Sequence, residues 1–207
     1  MISKSAVIHP NVKLGDNCIV EDFVIIGKAP GGIQDDTLET VIGANAVIRS
    51  HTVIYAGNTI GDHFSTGHHV MIREKNVIGK RVSVGTGTVL EHHIALGDDV
   101  RIHSQAFIPE YTSAEEGAWI GPKVTITNAR YPRSPGVKET LAGAQIKRHA
   151  KIGANSTLLP GIVLGENCLV GAGSVVTKDV APGKVVAGNP AVIINDISDL
   201  PYDSVKE

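Results

Sequence analysis

Glu74, His92, Glu110 and Asn128 recur along the chain at one constant spacing, three times six. An imidazole flanked by carboxylates and an amide can take up a proton near neutral pH and orient a polar substrate. A second row at the same spacing holds His51, His69, Gly87 and Gln105. The cations gather in two places, Arg130 with Arg133 and, further on, Lys147, Arg148, Lys151, Lys178 and Lys184. Guanidinium forks match the oxygens of phosphates. The spacing is the period of neither a helix nor a single strand, so these residues act together only if the chain returns to the same place at every interval.

The apolar residues show that it does. From Ile42 to Ile126 every sixth residue is Ile, Val or Leu except Thr66 and Ala114. The same period runs in shifted frames from Ile2 to Ile26 and from Ile146 to Val176. Glycine often follows the repeated aliphatic, as at Gly15, Gly61, Gly97 and Gly165, and the fifth position is small or β-branched, as at Ala46, Val82 and Ala106. A repeat of six fits a short strand plus a turn. Three repeats make a triangular coil whose length equals the spacing of the polar rows, and stacked coils pair their strands in parallel at about 4.8 Å. Valine and isoleucine number 47 against 10 leucines, and aromatics are only 4%, as a narrow β core filled by aliphatic wedges requires. Cys18 and Cys168 each fall four positions after a repeated leucine and read as core packing; two cysteines so far apart suggest neither a disulfide nor a metal motif.

A net charge of -2 with 42% hydrophobic residues excludes a disordered chain and a basic nucleic-acid binder. No apolar run reaches the roughly 18 to 20 residues of a membrane span, and Met1 to Ala6 has no leader-like stretch, so a cytoplasmic protein without membrane or nucleic-acid partners is expected. The frame breaks twice. From Ile26 to Ile42 the chain runs two hexads plus four, around Ala29-Pro30-Gly31-Gly32, and from Ile126 to Ile146 it runs one coil plus two, around Thr127 to Gly136. These breaks predict loop insertions near 28–41 and 128–145, the second projecting from the prism. One domain over 1–191 is expected, with 192–207 as a short helix or tail.

The six-residue repeat from Ile2 to about Pro190 resembles the hexapeptide-repeat acyltransferase superfamily, which implies an all-β fold, a left-handed parallel β-helix. The segment Val180 to Ala191, with Gly188, Pro190 and Ala191, resembles the closing signature of those enzymes. Ala114-Glu115-Glu116-Gly117-Ala118-Trp119-Ile120-Gly121-Pro122, followed by Thr127-Asn128 and Pro132-Arg133-Ser134, is similar to a pattern in UDP- or dTDP-linked 3-amino-sugar N-acetyltransferases of surface polysaccharide biosynthesis. That resemblance implies acetyl-CoA as co-substrate, no metal, and a homotrimer with active sites between neighbouring chains. It places Glu110 and Asn128 on the acceptor's amino group and leaves His92 as the candidate proton acceptor or else a solvated turn residue, the family more often having asparagine there. It also suggests Gln105 as an acceptor contact and Arg130 and Arg133 on the nucleotide diphosphate. Coenzyme A falls to Lys147, Arg148, Gly153, Gly171, Lys178, Lys184 and Pro190, although Val192 stands where a basic residue is common.

Three other readings stay open. The same repeat supports other acyltransferases, of the 4-amino-sugar or lipid-A type. His63 and His68 have the spacing of one ligand pair of a γ-class carbonic anhydrase, but the third histidine would fall near Gly27 and Lys28. A non-catalytic trimeric module is the third.

Overall fold

The short aliphatic strands coil as the period requires. The computed structural model describes residues 1–31 and 38–202; Gly32, the middle of the first insertion and the chain from 203 onward lie outside them. Three sheets form the sides of a triangular prism. A nine-stranded sheet runs from Val7–Ile8 to Val175–Val176, and an eight-stranded sheet from Val12–Leu14 to Val163–Leu164. The third has ten strands and runs from Ile19–Val20 to Lys184–Gly188, ending in Ala191–Asp196. Within each sheet every third strand is a neighbour, paired in parallel one coil away, as where Val89 faces Phe107 and Leu90 faces Ile108.

The repeated aliphatics point inward. Leu90, Ile108 and Ile126 are fully buried, as are Ile54, Ile72 and Leu158 in the same sheet, each contributing roughly 1.5 to 3 kcal/mol by leaving water. Cys18 and Cys168 pack in this core, and burial pushes the Cys168 thiol up to about 11. At each corner the third residue takes a left-handed conformation, held by side-chain-bearing residues such as His63, Arg81, His93, Gln105 and Asn155. The first corner residue is often glycine because the next coil leaves no room: a Cβ on Gly85 would lie 2.3 Å from the Ser104 nitrogen.

Buried asparagines occupy the corner between the first and second sheets where the frame calls for a small or β-branched residue. Asn58 Nδ2 donates to the carbonyls of Tyr55 and Arg73, both at 2.8 Å, and its Oδ1 accepts from Asn76 N at 3.0 Å. Asn76 repeats the pattern one coil on, donating to the Arg73 carbonyl at 2.8 Å and accepting from Ile94 N at 2.7 Å. This ladder satisfies backbone groups of a tight turn and fixes the corner that carries Glu74 and His92.

Three expectations are corrected. Leu14 pairs with Ile42 and Ala114 with Ile146, so Ile26 and Ile42 stand on adjacent sides of the prism, as do Ile126 and Ile146. Each insertion therefore lies within a single strand-to-strand step, and the second is not one coil plus two. Lys28 and Gln145 also belong to strands, so the loops are shorter at those ends than 28–41 and 128–145. The segment after 191 is a strand, Ala191–Asp196, antiparallel to Lys184–Gly188, followed by a short 3-10 turn, Ile197–Asp199. Its β-branched run Val192-Ile193-Ile194 suits a strand, and it pairs along the edge left open by Lys184–Gly188. Among the described residues no helix is long and apolar enough to cross a membrane.

Candidate active site

The evenly spaced column is a physical one. Glu74, His92, Glu110 and Asn128 occupy the second residue of successive turns between the first and second sheets. Asn128 Nδ2 donates to Glu110 Oε2 at 2.5 Å, and His92 Nε2 lies 3.5 Å from Glu110 Oε1. The His92 and Glu110 side chains are each 24% exposed, so the pair is reachable from solvent but partly shielded from it. Glu74 is committed elsewhere. Burial disfavours its charge, but hydrogen bonds from Arg73 at 2.9 and 3.0 Å overcome that and hold the carboxyl below its ordinary range. Arg73 also reaches Glu91 at 3.3 Å and lies over the Tyr55 ring at 5.3 Å.

His93 is a neighbour that spacing alone did not single out. Its Nδ1 lies 2.7 Å from His92 Nδ1, so one ring donates and the other accepts. Tyr111 stacks on His93 with centroids 5.7 Å apart. Burial first, then the nearby His92 and Lys75 charges, keep the His93 imidazole below its ordinary value. A neutral His93 that accepts the Nδ1 proton of His92 leaves the lone pair of His92 Nε2 on the Glu110 side.

The loop starts at this site. Ala142 N donates to the Asn128 carbonyl at 2.9 Å and Thr127 Oγ1 donates to the Leu158 carbonyl at 2.9 Å, pinning both ends of the excursion beside Glu110. Arg130 and Arg133 are exposed on it. Gln105 does not join them within one chain: it stands at the corner between the third and first sheets, one side of the prism away from Glu110.

The cations assigned to coenzyme A divide. Lys147 is paired with Glu115 at 2.9 Å, Arg148 with Glu116 at 3.3 Å, and Lys184 with Asp196, so these three already face carboxylates. Gly153 and Gly171 sit in turns where a Cβ would strike the next coil, at 2.5 Å from Ala172 N and 2.9 Å from Ala187 Cβ. Lys178 and Pro190, by contrast, meet in one cavity of about 320 Å³ whose other walls include Val176, Val180, Val192 and Ile193. Those partnerships are between residues far apart in sequence, which no local pattern reveals. His63 and His68 stand on different corners, and His68 lies 3.9 Å from Glu21.

Residues 143–178 match the family of bacterial transferase hexapeptides (six repeats). A galactoside O-acetyltransferase of Lactococcus lactis is 35% identical over 131 residues, 59% of this chain and 58% of that one. Thus the chain spans less than two thirds of the length of this curated relative. Among solved structures, a hexapeptide-repeat acetyltransferase of Vibrio cholerae complexed with acetyl coenzyme A superposes with TM-score 0.51 at 23% identity, covering 57% of this chain and 69% of that one. The polySia-specific acetyltransferase NeuO does so with TM-score 0.56 at 17% identity, over 94% and 88%. The chain is a hexapeptide-repeat β-helix. Its coil is the left-handed one of that fold. The curated relative is named for transfer to a hydroxyl, not to the amine that the Thr127-Asn128 and Pro132-Arg133-Ser134 segments lead us to expect.

Proposed function

We propose that this hexapeptide-repeat protein is an acetyl-CoA-dependent acetyltransferase whose acceptor is the amino group of a nucleotide-linked amino sugar. One observation carries the reading: an imidazole, a carboxylate and an amide meet on three adjacent coils. Asn128 spends an N–H on Glu110, which leaves its Oδ1 to act beside Glu110 Oε1 and His92 Nε2. A protonated amine has three N–H donors, and this set matches them. The Glu110 carboxylate attracts the ammonium form, and His92 removes one proton to give the neutral nucleophile. Glu110 and Asn128 then hold the remaining N–H bonds so that the lone pair faces the thioester carbonyl, a contribution of positioning more than of base strength. As the C–N bond forms and the C–S bond breaks, the second amine proton passes to the departing thiolate, because His92 already carries the first. The imidazolium formed at His92 is stabilised by Glu110.

The Lys178–Pro190 cavity suits part of coenzyme A, with one cation for a phosphate and aliphatic walls for an adenine. Arg130 and Arg133 supply guanidinium groups for the diphosphate of the acceptor. A homotrimer with sites between chains fits an exposed row on the first sheet that includes Met71 and Phe107, each 39% exposed.

A second reading, transfer to a sugar hydroxyl, is favoured by the His92–Glu110 contact, because a hydroxyl needs a base more than an amine does, and by the name of the curated relative. Thiol release from acetyl-CoA, measured against UDP- and dTDP-amino sugars and against galactosides, separates the two. Release with amino sugars alone supports the first, and release with galactosides alone replaces it by the second.

A further inference from the structure

The corner between the third and first sheets carries a ladder of rings. Phe23, His51 and His69 stack on successive coils, with centroids 5.1 Å apart at 20° and then 4.8 Å apart at 4°. The next rung is Gly87, followed by Gln105 and Lys123. All these positions have φ between 56 and 68°, and five of the six carry a side chain there, so the backbone does not demand glycine at 87. Space does not demand it either: a Cβ on Gly87 would meet only Gln105 Cγ, at 3.6 Å. The upper face of the His69 ring therefore looks into a gap one rung deep.

Beside that gap, on the outer face of the third sheet, lies a trough of about 400 Å³. It exists because Ser65 and Ser83 are small where Val47 and Arg101 flank them, and Gly67, Gly85 and Thr86 carry its floor to the ladder. Arg49 and Arg101 both line it. Arg49 shares its charge with Glu21 at 3.3 Å, while Arg101 has no ion-pair partner among the described residues. Burial first, then the Arg101 charge, keep the His103 imidazole in the same wall below its ordinary value, and its buried Nε2 has no hydrogen-bond partner among the described residues. The other charges near the ladder are Asp22, bound by Ser3 and Ser5, His68 beside Glu21, and Lys123 above Gln105.

A planar rung beside a guanidinium that has no ion-pair partner among the described residues defines a ligand by chemistry: a flat ring carrying an anion. We propose that the notch at Gly87 binds a mononucleotide, its base stacked on His69 and its phosphate on Arg101. This site lies one side of the prism away from Glu110 within a chain. The nucleotide belongs either to the acceptor, reaching the site from another chain, or to a separate small molecule.

Trp119, the single tryptophan, packs on His103 at 4.5 Å and pairs in register with Arg101, so it reports directly on the trough. Titration of the full chain with UMP, followed by Trp119 fluorescence and by equilibrium dialysis, is expected to saturate. Uridine and inorganic phosphate should each bind at least about tenfold more weakly, since each keeps one of the two contacts. Gly87→His, which fills the rung with a ring this column already accommodates, and Arg101→Gln should each weaken UMP by about ten- to a hundredfold. Should Gly87→His fail to fold by circular dichroism, His69→Ala removes the platform instead and carries the same expectation. UMP binding no tighter than phosphate, or unchanged in the folded ring variant, overturns the proposal. Competition of UMP with the sugar acceptor in the acetyl-transfer assay identifies the nucleotide as the acceptor's own, and its absence as a separate ligand.

Discussion

At the scale of single residues, the column from His92 to Asn128 combines a proton acceptor with two orienting groups. Glu110→Ala and Asn128→Ala should each lower kcat by about a hundredfold or more, because misplacing a bound nucleophile costs that much, while His63→Ala on another corner leaves it unchanged. Steady-state kinetics at saturating acetyl-CoA check this. His93 and His103 give a pH signature. Both imidazoles titrate below their unfolded value because burial disfavours their charged forms. The unfolded chain therefore binds more protons in that range, so stability present above about pH 6.5 is lost as pH falls below it. The depressed carboxyls Glu21, Asp62 and Asp99 act in a separate window, below about pH 4.5. Thermal unfolding of the His93→Asn, His103→Asn double variant should show a smaller drop between pH 7 and pH 5 than the unaltered chain.

At the scale of elements, each two-residue strand contributes one inward wedge and each turn one outward face, and a defect in either propagates to adjoining coils. Leu90→Ala, at a fully buried wedge one coil below Ile108, should cost about 2 to 5 kcal/mol. Asn76→Ala leaves the Ile94 N–H without its partner and should cost about 1 to 3 kcal/mol. Denaturant unfolding measures both. The strands, the buried cysteines and the stacked column were all legible in the sequence because each depends on a fixed period. The asparagine ladder was not, since Asn58 and Asn76 interrupt the pattern of small or β-branched residues and their partners are backbone carbonyls. Lys147 and Arg148 likewise looked available for phosphate until Glu115 and Glu116, on the far side of the second insertion, came to lie against them. The strand Ala191–Asp196 was hidden because its pairing is antiparallel and outside the hexad frame.

At the scale of the whole molecule, the prism is a rigid rod whose corners display side chains at one-coil intervals, and chemistry resides where those corners depart from the repeat. The column at Glu110, the loop leaving Asn128, and the open rung at Gly87 are three such departures, on two corners. The central claim is tested most directly by free-thiol release from acetyl-CoA on addition of UDP- or dTDP-3-amino sugars to the purified full chain. The account predicts acceptor-dependent release that disappears in Glu110→Ala and Asn128→Ala and persists in His63→Ala. No release with any amino sugar from folded protein, or equal release from all three variants, would contradict it.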